Sequence, residues 1–370
     1  MKENESTTEN STDQDNSKPG RSVSISIKIL AVTLGTTIIV LTVSGIASFI
    51  MSRNAIENKL FDQLTSVREI KGQQIENYFG TISRQISTMS DNPAIVDAMS
   101  TLKSAFHRVS DYEQRTTSPG ADSHPKLLSY YRDEFFDRLR PNTVGKLQGV
   151  PLSRFFPTEP GSIKFQEKYI SDNPNPTGMK HNLDSADNSL YGGLHKKYHP
   201  ALRNYLEKFG YYDIFLVDNE TGHIVYSVFK EVDFATSLLT GPYRETNFAR
   251  AFKAASQAND KDFVKLVDFE PYYPSYNAPA SFIASPIFNG SRKIGVLVFQ
   301  MPIDRINAIM TSNQDWENVG LGETGETYIV GDDYTMRNQS RFLIEDPENY
   351  FKVIRESGIA PETVDRIESL

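Results

Sequence analysis

One stretch constrains this chain more than any other: Ile29 to Met51, ILAVTLGTTIIVLTVSGIASFIM, which holds no charged residue. At ~1.5 Å rise per residue, roughly 20 helical residues cross a ~30 Å hydrocarbon layer. These 23 residues are therefore long enough, with some tilt. Core helices of soluble proteins rarely run so far without a polar face. A cleaved signal peptide has an apolar core of only ~7–15 residues near the chain start. Here the run begins after 28 residues and no A-x-A site ends it. Residues 29–51 read as an uncleaved transmembrane helix in the lipid bilayer.

Residues 1–28 form a polar tail whose first twenty residues are rich in Ser, Thr, Asn and Glu, too poor in apolar surface to order. Lys18, Arg21 and Lys28 precede the span, against Arg53 and Lys59 after it, which favours a cytoplasmic tail by three to two. With 47 acidic and 39 basic residues the net charge is -8, which argues against nucleic acid as a partner. The absence of cysteine excludes disulfides, thiolate metal sites and cysteine nucleophiles.

Residues 52–110 read as stalk helices. Ile56, Leu60, Leu64, Val67, Ile75, Phe79, Ile82, Ile86 and Met89 recur at helical spacing, and the later ones step near three and a half, as in a helix packed on a partner. That spacing fits a homodimer through the stalk. Asp91-Asn92-Pro93 ends the first helix and starts the next, with Pro93 at its first position.

Residues 111–310 read as a membrane-distal domain. A Ser/Pro/Gly loop, TTSPGADSHP, precedes a helix over Leu127–Arg140, and another helix starts near Leu190 and bends or restarts at Pro200. The period then changes to that of strands: Tyr211–Asp218, His223–Phe229, Phe263–Phe269, Ser281–Phe288 and Lys293–Met301, with a helix over Thr246–Ser256 between the second and third. This order predicts an α+β fold, a five-stranded antiparallel sheet with helices packed on one side. Pro302–Met310 reads as a connecting helix, and Thr327–Val330 as a strand opening a second sheet domain, residues 311–370, which is incomplete as given.

At this point the segments LHKKYHPALRNYLEKFGYYDIFLVDNETGHIVYSVFKEVDF, GPYRETNFARAF, DFEPYYPSYNAPASFIASPI, GVLVFQMPIDRINAIM and GETGETYIVG can be set beside known families. With the span and stalk, they resemble the double Cache, PAS-like sensor regions of bacterial transmembrane receptors. The resemblance implies an extracytoplasmic sensor at the bacterial cell membrane. A second span, a HAMP linker and an output module for chemotaxis, cyclase or kinase control would follow. None of those three is found before Leu370, so the chain reads as a fragment of such a receptor.

A small-molecule ligand is expected where strand ends meet covering loops. The candidate residues are Tyr226, Lys230 and Asp233 in VYSVFKEVDF, Tyr243 and Arg244 in GPYRE, and Asp268, Glu270, Tyr272 and Tyr273 in DFEPYYPSY. Acids, cations and tyrosines together suit an amine, a carboxylate or both, with Arg244 as a carboxylate fork. Cache sensors for amino acids carry a Tyr, Arg, Trp-Tyr, Tyr and Asp pattern. The single Trp here, Trp316, lies beyond the sheet, so an amino-acid ligand is not supported. His195 and His199 are four apart on a helix but lack an intervening acid, and packed histidines are expected rather than a metal site. No cofactor is expected. The reading is a non-enzymatic sensor. The alternative is a membrane-anchored hydrolase using Asp268 and Glu270, which share a strand face as an acid/base pair.

Overall fold

The computed structural model describes residues 24–116, 124–143, 147 and 149–368. The tail before Ser24 and most of the TTSPGADSHP loop lie outside the described residues. The chain divides into two units, Met1–Thr65 and Ser66–Leu370.

Helix α1 spans Ile25–Ser90 and contributes to both units. In the first unit its side chains are exposed, among them Ile38, Leu41, Ile46 and Phe49. By length and composition it can cross a membrane: its most apolar window has a mean hydropathy of 2.2, and none of that window is buried.

In the second unit the apolar stripe of α1 changes character. Ile82 and Ile86 enter the core, Phe79 and Met89 pack against it, and Val67 joins Trp316 and Leu321 in a separate cluster. Ile56, Leu60 and Leu64 of the first unit remain exposed. The stripe read as one surface is therefore two. Asn92 starts α2 (Pro93–Thr116), its side-chain oxygen accepting from the Ala94 amide at 2.9 Å with Pro93 at the first helical position. Helix α2 buries Ile95, Ala98, Met99, Leu102 and Phe106.

A broken helical stretch follows: α3 (Pro125–Ser129), a π-helical turn (Tyr130–Phe135) and α4 (Phe136–Leu139). Next come α5 (Pro160–Gln166), a second π turn (Glu167–Ser171) and α6 (Leu190–Phe209). Helix α6 runs through Pro200 as one element rather than restarting. Pro200 and Lys196 are both exposed, so the carbonyl that loses its partner faces water.

Five strands form one antiparallel sheet: β1 (Asp213–Asp218), β2 (Ile224–Ser227), β3 (Lys265–Pro271), β4 (Pro279–Asn289) and β5 (Arg292–Met301). The spatial order is β2-β1-β5-β4-β3. The β1–β2 turn is fixed by Asp218, which accepts from the Glu220 amide at 3.1 Å and the Thr221 hydroxyl at 2.6 Å. Helix α7 (Asn247–Gln257), capped by Thr246 Oγ1, lays Phe248 on one sheet face. Phe248 is stacked on Phe282 (4.6 Å, 7°) and sits 4.6 Å from Phe215. The opposite face is covered too: Gly295 of β5 meets Met99 of α2, and Phe299 meets Tyr211 and Tyr205, the latter from α6. Helices thus pack on both faces, where one was expected.

After α8 (Ile303–Met310) come a π turn (Glu317–Leu321), α9 (Arg341–Glu345), α10 (Pro347–Glu356) and α11 (Pro361–Glu368). Thr327–Val330 forms no strand. Val330 makes a single bridge to Met336, since a strand needs a ladder partner and no other described residue supplies one.

Candidate functional site

The segment after β2, Val228 to Thr236, leaves the sheet edge and is pinned beneath α5. Gln166 Nε2 donates to the Val232 and Phe234 carbonyls at 2.8 Å each, and Ser162 Oγ to the Ala235 carbonyl at 2.7 Å. Lys230 (φ 64°) and Ala235 (φ 66°) take left-handed backbone, which lets the segment double back. This path buries Lys230, Glu231 and Asp233 together, beside Asp213 at the start of β1.

On the α7 side of the sheet these acids meet a ring of hydroxyls and amides. Tyr272 donates to Asp233 Oδ2 at 2.7 Å, Tyr212 to Glu231 Oε1 at 2.7 Å and Ser275 to Glu231 Oε2 at 2.8 Å. Gln300 Nε2 donates to Ser275 Oγ at 2.9 Å, and Tyr131 to Gln166 Oε1 at 2.8 Å. Asp213 Oδ1 accepts three backbone amides, those of Ile214, Val228 and Phe229, at 2.6–3.0 Å. Four buried polar atoms remain unmatched there: Asp213 Oδ2, Asp233 Oδ1, Gln300 Oε1 and the Tyr243 hydroxyl. Buried groups of this kind are normally hydrogen-bonded, so these four single the cluster out as the candidate site.

The electrostatics agree. Burial pushes the Asp233 carboxyl up to about 6, against the pull of its Tyr272 bond. Burial, then the neighbouring Asp233 charge, holds Glu231 well above the carboxylate range and raises Asp213 too. Lys230 is pulled down by burial, opposed by Asp213.

Around the β2 edge lies a second group. The Lys230 ammonium sits over the rings of Tyr226 (4.4 Å), Phe234 (4.9 Å) and Tyr169 (5.7 Å), and donates to the Ser227 carbonyl. His195 and His199 stack at 4.4 Å beside Tyr226. His199 Nε2 lies 2.6 Å from the His181 carbonyl, so it carries the proton, and Nδ1 accepts from the Tyr226 hydroxyl at 2.7 Å. Burial pushes His199 down to about 3 and His195 well below its usual range, so both are neutral. No group of three or more metal-ligating side chains occurs among the described residues. The histidines are packed ones.

The β3–β4 loop roofs the site. Tyr276 (φ 55°) and Asn277 (φ 69°) turn it back in left-handed backbone. Asn142 Nδ2 donates to the Tyr276 carbonyl at 2.8 Å, and Asn277 Nδ2 to the Asn142 carbonyl at 2.6 Å.

Of the residues expected from sequence, the structure brings Asp233, Tyr243 and Tyr272 into the acidic site and places Tyr226 and Lys230 in the adjoining cation–aromatic group. Tyr273 is half-buried in the roof, edge-on to Phe155 at 5.4 Å. Three do not join them. Arg244 is solvent-facing, 3.6 Å from Glu245. Asp268 is exposed and paired with Arg337 at 2.9 Å, and Glu270 is ion-paired with Arg250. An irregularity in β3 between Val267 and Glu270 breaks the alternation that would have placed these two on one face. Asp213, Glu231, Tyr131, Gln166 and Gln300 were missed. An acid at the start of the apolar run in YYDIFLVD is the available signal for Asp213.

No protein-family model and no curated protein matches the chain. Among solved structures it is similar to the sensor domain of the Vibrio cholerae histidine kinase DctB, at 18% identity and TM-score 0.25, over 40% of this chain and 52% of that one. The chain thus spans about half of that DctB structure. It is also similar to the ligand-binding domain of the Pseudomonas fluorescens chemoreceptor CtaA, solved with L-serine, at 13% identity and TM-score 0.27 (59% of this chain, 74% of that one). A third is the sensory domain of the Campylobacter jejuni chemoreceptor Tlp3 with isoleucine bound, at 13% identity and TM-score 0.29 (63% and 83%).

Proposed function

We propose that this chain is the sensor portion of a bacterial transmembrane receptor. It binds a small extracytoplasmic molecule and passes a conformational signal towards a chemotaxis, cyclase or kinase output. The observation that carries the reading is the buried set around Asp213 and Asp233. Two carboxylates each hold an oxygen without a donor, next to an unmatched amide oxygen and an unmatched tyrosine hydroxyl. Such a set is short of hydrogen-bond donors and of positive charge. With Arg244 in solvent, the carboxylate fork expected from the sequence is missing, and the acids favour a small organic cation with several N–H donors. The apolar segment of α1 supports placement at the membrane, with the stalk as a dimer contact.

A hydrolase reading loses its acid/base pair, since Asp268 and Glu270 are each held in a surface ion pair. We therefore read the chain as a binding protein.

The test is a thermal-shift screen of amines, purines and organic acids on the full chain in non-ionic micelles. A cationic amine should raise the melting temperature with the logarithm of its excess over Kd. Asp233→Asn and Tyr243→Phe should abolish the shift, while Arg244→Ala and Asp268→Ala should keep it. Native affinity in Asp233→Asn would refute the site.

A further inference from the structure

A cavity of about 670 Å³ lies between the second-unit part of α1 and the end of α8, away from the acidic site. Its lining includes Lys71, Gln74, Asn77 and Tyr78 from α1, with Arg305 and Asn313 across from them, and contains no carboxylate. Lys71 is 6% exposed and donates to Ser312 Oγ at 2.5 Å and to the Ile309 carbonyl. Among the described residues, neither Lys71 nor Arg305 has an acidic partner. The last-turn carbonyl of α8 offers Lys71 only the partial charge of a helix end. A buried ammonium without a counter-charge is costly, and burial accordingly pulls Lys71 down from the usual lysine range.

We infer that this cavity is a binding site for a small organic oxyanion, held by Lys71 and Arg305 with the Gln74 and Asn77 amides as further donors. The chemistry is that of the charge-assisted contact: a guanidinium fork and an ammonium converging on one carboxylate or phosphate group. The volume is in the range of small-molecule sites, ~300–1,000 Å³, and exceeds what a lone inorganic ion fills.

The experiment uses the full chain in non-ionic micelles at constant ionic strength. Melting temperature is followed against succinate and against glycerol 3-phosphate, with sodium chloride as the baseline. A saturable rise with succinate alone assigns a carboxylate, with glycerol 3-phosphate alone a phosphate, and with both a site for the shared oxyanion. No rise above chloride with either overturns the inference. Arg305→Gln, at an exposed position with no acidic partner among the described residues, should weaken the apparent affinity about tenfold. Unchanged affinity there overturns it as well. Lys71→Met should remove the response, and Arg305→Gln decides if that variant does not fold. Asp233→Asn should leave the oxyanion response intact. Loss of it in that variant would place the anion in the acidic site instead, against this inference.

Discussion

Replacing Asp233 by Asn should make the unliganded protein more stable, and the size of the gain should depend on pH. Asp233 is fully buried, with Oδ2 bonded to Tyr272 and Oδ1 outside hydrogen-bond geometry, although the nearby Asp233 and Phe234 amides also pull its carboxyl down. Its carboxyl is held at about 6 in the folded chain, against an ordinary value of 3.8. At ~1.4 kcal/mol per pH unit between those values, keeping it ionised in the fold costs about 3 kcal/mol. The sign follows from proton counts. Between pH 3.8 and about 6 the folded chain binds more protons at this group than the unfolded chain, so stability falls as pH rises through that window and levels off above it. Asn keeps an acceptor for Tyr272 and carries no charge. At pH 8 the variant should gain up to ~3 kcal/mol, or ~6 °C in Tm at ~2 °C per kcal/mol for a unit of this size. At pH 4 the difference should vanish. The assay is thermal melting by circular dichroism of both proteins in non-ionic micelles at pH 4, 5, 6 and 8. Glu231 and Asp213 titrate in both, and since the Asp233 charge raises each of them, the gain at high pH includes the relief of that repulsion. A variant less stable at pH 8, or a gap that does not change with pH, would refute the reasoning.

The split apolar stripe of α1 predicts unequal costs. Ile86→Ala, in the core, should cost ~2–5 kcal/mol in chemical denaturation. Ile70→Ala, off that stripe on α1 and 56% exposed, should change stability by under ~0.5 kcal/mol. A Cβ added at Gly295 would come within 2.5 Å of Met99 Sδ, so Gly295→Ala should cost ~1–3 kcal/mol in the same assay. Gly295→Ala combined with Met99→Ala should cost less than the two single losses summed, because the smaller side chain removes the clash.

Much of the fold was legible because local chemistry and tertiary packing agree. Pro93, Thr246 and the Asn219–Gly222 turn each do in the structure what their residue types favour. The site was legible only in part. Glu231 gives no local signal and Asp213 only a weak one, because an acid at the end of a strand or just past one ordinarily faces water. Their burial depends on a segment pinned under Gln166 from 66 and 68 residues away, which no local pattern reports. Asp268 and Glu270 misled for the converse reason: alternation is a rule for regular strands, and β3 is irregular between Val267 and Glu270. Thr327–Val330 has strand composition, but pairing is a property of two segments.

The reciprocal amide bonds between Asn142 and the β3–β4 loop bear on how fast this protein can respond. Asp233, Tyr243 and Tyr272 are all at most 2% exposed, so a ligand reaches them only when the roof lifts. Lifting it breaks the two Asn142 bonds and those joining Ser275 to Glu231 and Gln300, worth ~1 kcal/mol each, which leaves about one molecule in a thousand open at any instant. Capture is slowed by the same factor relative to an uncovered pocket, and escape must wait for the same event. If the acidic set is the sensing site proposed above, the Asn142–Asn277 clasp would average out brief fluctuations in ligand concentration, and its strength would set the interval over which the averaging runs.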